Sequence, residues 1–184
     1  SWTSGEESKK QYEYYMLKEI MEQSEVAERL INSLQKEQCN DLMELAWMIR
    51  SVKRVVFIAA GTSYHASLLG VYLLNKIGIQ AHAVIASEFC YSNLVDKDSL
   101  VIAISQSGET MDVIEALKSI KNKATTIASF VNVPYSTIQR MSDISINILA
   151  GQEVCVAATK SFTNQVILLL CLVSLCGLRN AKIY

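Results

Sequence analysis

Two amphipathic helices are predicted at the start of the chain. An apolar stripe at helical spacing, interrupted by one glutamine, is formed by Met16, Ile20, Gln23, Ala27, Leu30, Ile31 and Leu34. A second helix follows, with one apolar face formed by Leu42, Leu45, Ala46 and Ile49. We therefore expect a helical arm over residues 13–50, preceded by a polar linker over residues 1–12.

From residue 51 to residue 184 the pattern changes to short apolar or β-branched runs that alternate with helical stretches. Five strands are predicted, at residues 55–59, 81–86, 100–104, 125–130 and 144–149. Strands separated by helices indicate an α/β fold, a three-layer α/β/α sandwich with a parallel sheet, for which we assume the common strand order 2-1-3-4-5. The third run is apolar throughout, as a central strand would be, whereas the fifth alternates like an edge strand.

The charge balance, the cysteines and the two ends of the sequence indicate which partners and which cellular compartment to expect. The 17 basic and 18 acidic residues nearly cancel without any basic run, so nucleic acid is not an expected partner. Five cysteines lack a CxxC pair and a His at ligand spacing, which indicates free thiols in a reducing compartment and no metal site. No basic-then-apolar leader opens the sequence, and we expect a cytoplasmic protein. Because the chain begins with Ser1 and stops soon after an apolar helix, we expect a piece of a longer protein.

The apolar run that begins at Val166 has about 13 residues, where a membrane span needs about 20. It is therefore predicted to be a buried helix, and no membrane association is expected. A helix that is apolar on nearly every side needs cover on more than one face. We accordingly expect a second copy of the chain, or a missing part of the protein, to pack on it.

Two of the predicted strand ends are rich in Ser, Thr and Gly: "AAGTSYHAS" after the first strand and "SQSGET" after the third. In the assumed order these strands are neighbours that lead the chain away in opposite directions, so the two turns flank the crevice at the switch point. Helix N-termini there supply N–H donors, and Gly61 and Gly108 allow close approach. Hydroxyl donors are added by Ser63, Ser105, Ser107 and Thr110. The ligand that fits best is a phosphate monoester.

Other interpretations of these turns are possible. Neither GxxxxGK[ST] nor GxGxxG occurs, so a single phosphate on a small molecule fits better than a nucleoside triphosphate or a dinucleotide cofactor. Ser and Thr are also common N-caps, and the hydroxyls could simply cap their helices. Glu109 counts against phosphate, since a carboxylate in the first helical turn repels an anion unless its side chain turns away.

Several segments together resemble a known family. "AAGTSYHAS", "IASEF", "SQSGET" and "AGQEVCVAATKSFTNQ", with "YEYYMLKEIMEQ" ahead of them, are similar to the first sugar-isomerase (SIS) half of the isomerase domain in the glutamine–fructose-6-phosphate aminotransferase family. The resemblance runs from Trp2 to about Leu175. The hydroxyl turns alone indicate only an SIS domain, whereas the leading helix, "ASEF" and "ATKSFT" are more specific to the aminotransferases.

The resemblance implies a glucosamine-6-phosphate synthase, which makes glucosamine 6-phosphate from fructose 6-phosphate and glutamine. The phosphate contacts of the family fall on Ser105, Gln106, Ser107 and Thr110, and its sugar contacts on Gly61, Thr62, Ser63, Val156 and Ala158. The acid–base residues of the family lie in a second SIS half and a C-terminal tail, and ammonia comes from a glutaminase domain. The chain alone is thus expected to bind the sugar phosphate without converting it, to form a homodimer, and to need no cofactor or metal.

One departure from the family pattern concerns the sugar. Ala158 stands where the family has a serine, and the lost hydroxyl could leave a sugar group unpaired at a cost of about 1–3 kcal/mol. An alternative function is therefore a stand-alone SIS module that senses a phosphosugar without catalysis. Further reactive side chains are Glu153 and Lys160, which are weak candidates for substrate contacts. We expect His65 to pack along its helix, His82 to lie in the core or at an edge, and Cys155 to be a packed or partly exposed thiol.

Overall fold

The computed structural model describes residues 12–123 and 126–178. The predicted linker over residues 1–12 lies almost wholly outside the described residues, as do position 125 of the fourth predicted strand and residues 179–184 of the predicted main domain. In chain order the helices and strands are α1 (Tyr15–Leu34), α2 (Cys39–Ser51), β1 (Arg54–Ala59), α3 (Gly61–Lys76), β2 (Ala81–Ile85), β3 (Ser99–Ser105), α4 (Met111–Ile120), β4 (Thr126–Val131), α5 (Thr137–Arg140), β5 (Ile144–Asn147) and α6 (Lys160–Gly177). Short 3₁₀ helices cover Ala86–Tyr91 and Lys121–Lys123.

The five strands form one parallel sheet in the order β2-β1-β3-β4-β5, which confirms the predicted fold class and strand order. Every residue of β3 is buried, as predicted for the central strand. Strand β5 lies at the edge and ends two residues earlier than predicted. The reason is local: the Asn147 side chain accepts the N–H of Leu149 at 2.9 Å, and Leu149 has φ 52°, a left-handed conformation that cannot continue a strand.

Alternate side chains of the strands point into two apolar layers. Phe57 and Ile102 pack with α1, α2, α3 and α6 on one face of the sheet. Val56 and Val101 pack with α4 and α5 on the other. Because α1 and α2 contribute buried leucines such as Leu45 to the first layer, the two leading helices share the core of the sheet.

The buried face of α1 differs from the predicted stripe. Leu30 is buried as predicted, but Met16 and Ile20 are 36% and 44% exposed, so the prediction is wrong for the first half of the helix. It is also wrong at Ile31, which is 39% exposed. There the buried side chains are Lys18 and Glu19, with 2% and 1% exposure. A charged side chain is buried at this level only when polar partners compensate it, so these residues point to specific contacts across the fold.

Helix α6 has the length and composition of a membrane span, with a mean hydropathy of 1.4 over its 18 residues. It packs against α1, α2 and α3. Leu168, Leu169 and Leu172 are fully buried in the resulting core, while Leu170 on another face stays partly exposed. This is the packing of a core helix, which was the prediction for the apolar run that begins at Val166.

Candidate functional site

A cleft of about 450 Å³ opens at the carboxyl ends of β1 and β3. Its lining comes from three segments: the start of α3, the turn after β3, and the loop between β5 and α6. All nine residues that the sequence suggested line this cleft, namely Gly61, Thr62, Ser63, Ser105, Gln106, Ser107, Thr110, Val156 and Ala158. The fold therefore brings together at the switch point residues that are up to about a hundred positions apart in the chain.

The turn at residues 105–110, here called the phosphate turn, presents hydroxyl groups that are ordered by one another and by the backbone. The Ser105 Oγ accepts the N–H of Gly108 at 3.0 Å and lies 2.9 Å from the Thr110 Oγ1. The Ser107 Oγ accepts the N–H of Glu109 at 3.1 Å. Thr110 is the residue before α4, yet its side chain makes no capping hydrogen bond, so the helix-cap interpretation fails there.

These hydroxyls keep protons that they can donate. The bond between Ser105 and Thr110 uses one of their two hydroxyl protons, and the Ser107 oxygen acts only as an acceptor among the described hydrogen bonds. Helix α4 begins directly behind them, and the first N–H groups of a helix have no acceptor within it. The turn thus offers several donors and a positive helix end to one small anion.

Gly108 fits its position for two reasons. Its φ is +66°, in the left-handed region that other residues rarely adopt. A Cβ at this position would also lie 2.1 Å from the Ser136 Oγ. The backbone around Gly108 is braced by the loop after β4, since the Gly108 carbonyl accepts the N–H of Ile138 at 3.0 Å and the Gln106 carbonyl accepts that of Asn132 at 3.2 Å.

Glu109 does not oppose an anion in the turn. Its carboxylate accepts the backbone N–H of Thr137 at 2.6 Å and does not line the cleft. Hydrogen bonds from Thr137, helped by the positive charge of Arg140, lower the pKa of Glu109 from its ordinary value. The side chain has turned toward α5, which is the condition under which a carboxylate in this position is compatible with a bound phosphate.

On the opposite wall, Ser63 is oriented by a residue that sequence reasoning missed. Gln165 of α6 is buried, and its Nε2 donates to the Ser63 Oγ at 3.0 Å. Because the Ser63 oxygen is occupied as an acceptor, its own proton can be donated into the cleft. The available signal was an amide side chain directly before the apolar run of α6, since a buried amide requires a partner.

The third segment, residues 153–158, is here called the sugar-side wall. Glu153 lines the cleft, but its carboxylate accepts the N–H of Thr159 at 2.8 Å and the hydroxyl of Ser161, which ties the wall to the start of α6. Lys160 is buried, and its Nζ donates to the Glu22 carboxylate of α1 at 2.9 Å. Neither side chain is solvated as an ordinary loop residue, and Lys160 is not a cleft residue at all.

The remaining candidates carry no acid–base chemistry into the cleft. Desolvation, reinforced by the negative charge of Glu19, raises the pKa of the Cys155 thiol, so it is a poorer nucleophile than an ordinary cysteine. His65 is exposed rather than packed, His82 is half-buried, and neither lines the cleft. Among the described lining residues Glu153 is the one titratable side chain, and its oxygens are already engaged. The cleft is therefore equipped to bind an anion rather than to move protons.

The fold and the two hydroxyl turns define a class of protein. The SIS domain family model matches residues 48–175, and the chain belongs to this family. Among individual proteins, the chain is similar to the glutamine–fructose-6-phosphate aminotransferase (isomerizing) of Sulfurisphaera tokodaii, with 42% identity over 182 residues. The match covers 98% of this chain and 30% of that protein, so the chain spans about a third of the length of this relative.

Two solved structures resemble the fold. The C-terminal domain of glucosamine-fructose-6-phosphate aminotransferase from Francisella tularensis has a TM-score of 0.77 and 35% identity, covering 92% of this chain and 50% of that one. A protein of Escherichia coli CFT073 has a TM-score of 0.73 and 27% identity, covering 88% of this chain and 89% of that one. The chain is therefore similar to one portion of an aminotransferase.

Proposed function

We propose that the cleft binds fructose 6-phosphate and that the chain is the first SIS half of the isomerase domain of a glutamine–fructose-6-phosphate aminotransferase. Such an enzyme makes glucosamine 6-phosphate from fructose 6-phosphate and glutamine. The observation that carries the proposal is the convergence of the nine suggested residues on one cleft, with hydroxyl protons free at the phosphate turn. The similarity over 98% of the chain to an aminotransferase supports it.

In this proposal the phosphate is held by neutral donors at a helix end. Ser105, Ser107 and Thr110 donate hydroxyl protons, and the N-terminus of α4 adds its N–H groups and dipole. No Lys or Arg is among the described lining residues, so hydrogen bonds supply most of the affinity. A hydrogen bond to a charged group contributes about 1.5–3 kcal/mol. The sugar then extends from this anchor toward Ser63 and the sugar-side wall.

The acid–base steps are assigned to parts of a longer protein. We place the ring opening and proton transfer in a second SIS half and a C-terminal tail, and the release of ammonia in a glutaminase domain. Glucosamine 6-phosphate carries the same phosphate and would use the same anchor when it leaves. A stand-alone sensing module would bind the same ligands. The coding sequence on both sides of this segment distinguishes the two, because a glutaminase region upstream is expected only for the aminotransferase.

Exposed apolar side chains on two helices support a missing partner. Leu17, Ile20 and Met21 of α1 are 45%, 44% and 59% exposed, and Leu170 of α6 is 45% exposed. The partner we place on these helices is the second SIS half, because the similar C-terminal domain is about twice as long as this chain. The homodimer and the cytoplasmic location remain proposals. Sedimentation of the isolated chain as a monomer at high concentration would contradict self-association.

Calorimetric titration of the chain tests the proposed ligand. Fructose 6-phosphate is expected to bind with saturation, inorganic phosphate to bind more weakly, and fructose to show no binding. Ser107→Ala removes one hydroxyl donor and is expected to lower the fructose 6-phosphate affinity about tenfold. The matched control is Ser119→Ala, because the Ser119 hydroxyl donates to the Ala116 carbonyl within α4 and does not line the cleft.

The result that would overturn the proposal is a folded chain that binds neither fructose 6-phosphate nor inorganic phosphate. Equal affinities of the Ser107→Ala and Ser119→Ala variants would also remove the phosphate turn from the site. In that case the hydroxyls would serve only to order the turn.

A further inference from the structure

The sugar-side wall contains no helix or strand of its own. It lies between β5 and α6, and the Val156 side chain at its centre is fully exposed to solvent. Val154 is also 44% exposed, so burial of apolar side chains does little to fix the wall. A loop of this kind keeps one conformation only if polar contacts to other elements hold its backbone.

Such contacts come from Glu19 of α1, more than 130 residues earlier in the chain. One carboxylate oxygen, Oε1, accepts the backbone N–H of Val154 at 2.6 Å and that of Cys155 at 3.1 Å. Two successive amides bound to one carboxylate oxygen define the direction of the backbone immediately before Val156. Glu19 is 1% exposed, so these charge-assisted bonds form away from water, where they are strongest.

The contact continues along both helices. Lys160 donates to Glu22 at 2.9 Å, Thr163 donates to Gln23 at 2.5 Å, and Asn164 donates to the Val26 carbonyl at 3.1 Å. The contacting residues of α1 run from Glu19 to Val26, and their partners follow in the same order from Val154 to Asn164. Helix α1 therefore fixes the start of the wall through Glu19, and through Glu22 it fixes the start of α6 directly after the wall.

The phosphate turn is independent of this arrangement. Its hydroxyls bond within residues 105–110, and its backbone and Glu109 bond to the loop after β4. Among the described hydrogen bonds, none joins α1 to the turn. A change in α1 can thus alter one wall of the cleft and leave the other in place.

From this division we infer that Glu19 is a positioning residue for the sugar part of the substrate. It acts through the backbone of Val154 and Cys155, which places Val156 and Ala158 against the sugar. The inference rests on the proposed function and deepens it: the leading helix, which lies outside the cleft, determines how well the site distinguishes a phosphosugar from phosphate alone.

The test compares two ligands in three variants. Glu19→Ala removes the acceptor and is expected to weaken fructose 6-phosphate binding about tenfold, the equivalent of one charge-assisted hydrogen bond, with inorganic phosphate binding unchanged. Glu19→Gln keeps a neutral acceptor of the same shape, which forms weaker bonds, and is expected to lose about threefold. Glu25→Ala is the matched control, since Glu25 is an exposed glutamate of the same helix paired with Arg29.

Amide hydrogen exchange gives a second measurement that needs no ligand. The N–H groups of Val154 and Cys155 are expected to exchange faster in both Glu19 variants than in Glu25→Ala, while those of the phosphate turn keep their rates. If Glu19 had only a structural role, its substitution would instead weaken the binding of both ligands and raise amide exchange in both walls.

The outcomes separate the two ideas. Fructose 6-phosphate binding by the unaltered chain, with the same affinity in both Glu19 variants, would overturn the positioning role and leave the proposed function standing. Equal losses of affinity for fructose 6-phosphate and for inorganic phosphate in the Glu19 variants would also overturn the positioning role. Failure of the unaltered chain to bind fructose 6-phosphate would overturn the proposed function itself, and the positioning role with it.

Discussion

The phosphate turn is held by hydrogen bonds among its own residues and by the loop after β4, whereas the sugar-side wall is held by side chains of α1 and by Glu153. Four of the six residues of the first wall are Ser, Thr or Gly. The second contains the exposed Val156 and Ala157 and the half-buried Ala158, and the backbone just before them is fixed from a distance by Glu19. One cleft thus combines a locally ordered hydroxyl turn with a wall that depends on the packing of two helices.

The difference has a functional consequence. We expect the phosphate turn to tolerate changes in α1, because none of the described hydrogen bonds joins α1 to the turn. We therefore expect substitutions in the sugar-side wall to leave the phosphate turn unchanged. Three substitutions, with decreasing expected effects, test whether the phosphate turn and the sugar-side wall are held independently.

The largest effect is expected for Gly108→Ala in the phosphate turn. The left-handed φ costs about 1 kcal/mol with a side chain present, and the contact with Ser136 requires the loop after β4 to move. We expect a total loss of about 3 kcal/mol in the free energy of unfolding, with loss of phosphate binding. Urea denaturation and calorimetry measure the two quantities.

Gly61→Ala is the matched control for this substitution. Gly61 also has a positive φ, of 56°, but nothing lies within 4 Å of the position of its Cβ. Only the conformational cost of about 1 kcal/mol is therefore expected. Equal destabilisation by the two substitutions would show that the packing of Ser136 on Gly108 does not brace the turn.

The second substitution, Lys160→Met, removes the charge that ties the start of α6, directly after the sugar-side wall, to Glu22 of α1. Met keeps much of the buried stem, but Glu22 loses its 2.9 Å partner and retains Lys18 at 3.5 Å. Removing one member of a fully buried pair costs about 3–5 kcal/mol, so with Lys18 still present we expect about 2 kcal/mol. Lys118→Met, in an exposed pair with Glu115, is the control and should change the free energy of unfolding by less than about 0.5 kcal/mol.

The same pair predicts how stability depends on pH. Desolvation raises the pKa of Glu22, but the hydrogen bond and charge of Lys160, together with Lys18, outweigh it and lower the pKa below 4.5. A depressed carboxyl pKa contributes stability above the ordinary value, and this contribution is lost as the pH falls through the lowered pKa. In Lys160→Met this part of the acid dependence should shrink. An unchanged acid profile would show that the pair does not carry it.

The sequence predicted the elements that are determined by neighbouring residues. The five strands and the hydroxyl turns follow from short patterns, whereas the strand order was assumed as the common one for this fold class. That order brings the turns after β1 and β3 to one cleft. It could not predict Glu19 and Gln165, whose partners lie 135 and 102 residues away. The apolar stripe of α1 was wrong at Met16 for the same reason, because the buried side of that turn is decided by polar partners on α6 and its loop.

The smallest effect is expected for Ala158→Ser, which supplies the hydroxyl that the aminotransferase family has at this position. One additional hydrogen bond to the sugar contributes about 1 kcal/mol, so the affinity for fructose 6-phosphate should rise about fivefold, with phosphate unchanged. Ala157→Ser is the neighbouring control. Equal gains in both variants would mean that any hydroxyl in the wall suffices and that position 158 has no special geometry.

The gain in fructose 6-phosphate affinity from Ala158→Ser also depends on the contact that holds the sugar-side wall in place. A new hydroxyl contributes only if the backbone beneath it is fixed, and Glu19 fixes that backbone through Val154 and Cys155. In a double variant with Glu19→Ala, the gain should therefore be reduced, although residues 19 and 158 are not in contact through any described hydrogen bond. Simple additivity of the two effects would show that the wall keeps its conformation without α1, because independent sites add and coupled sites do not.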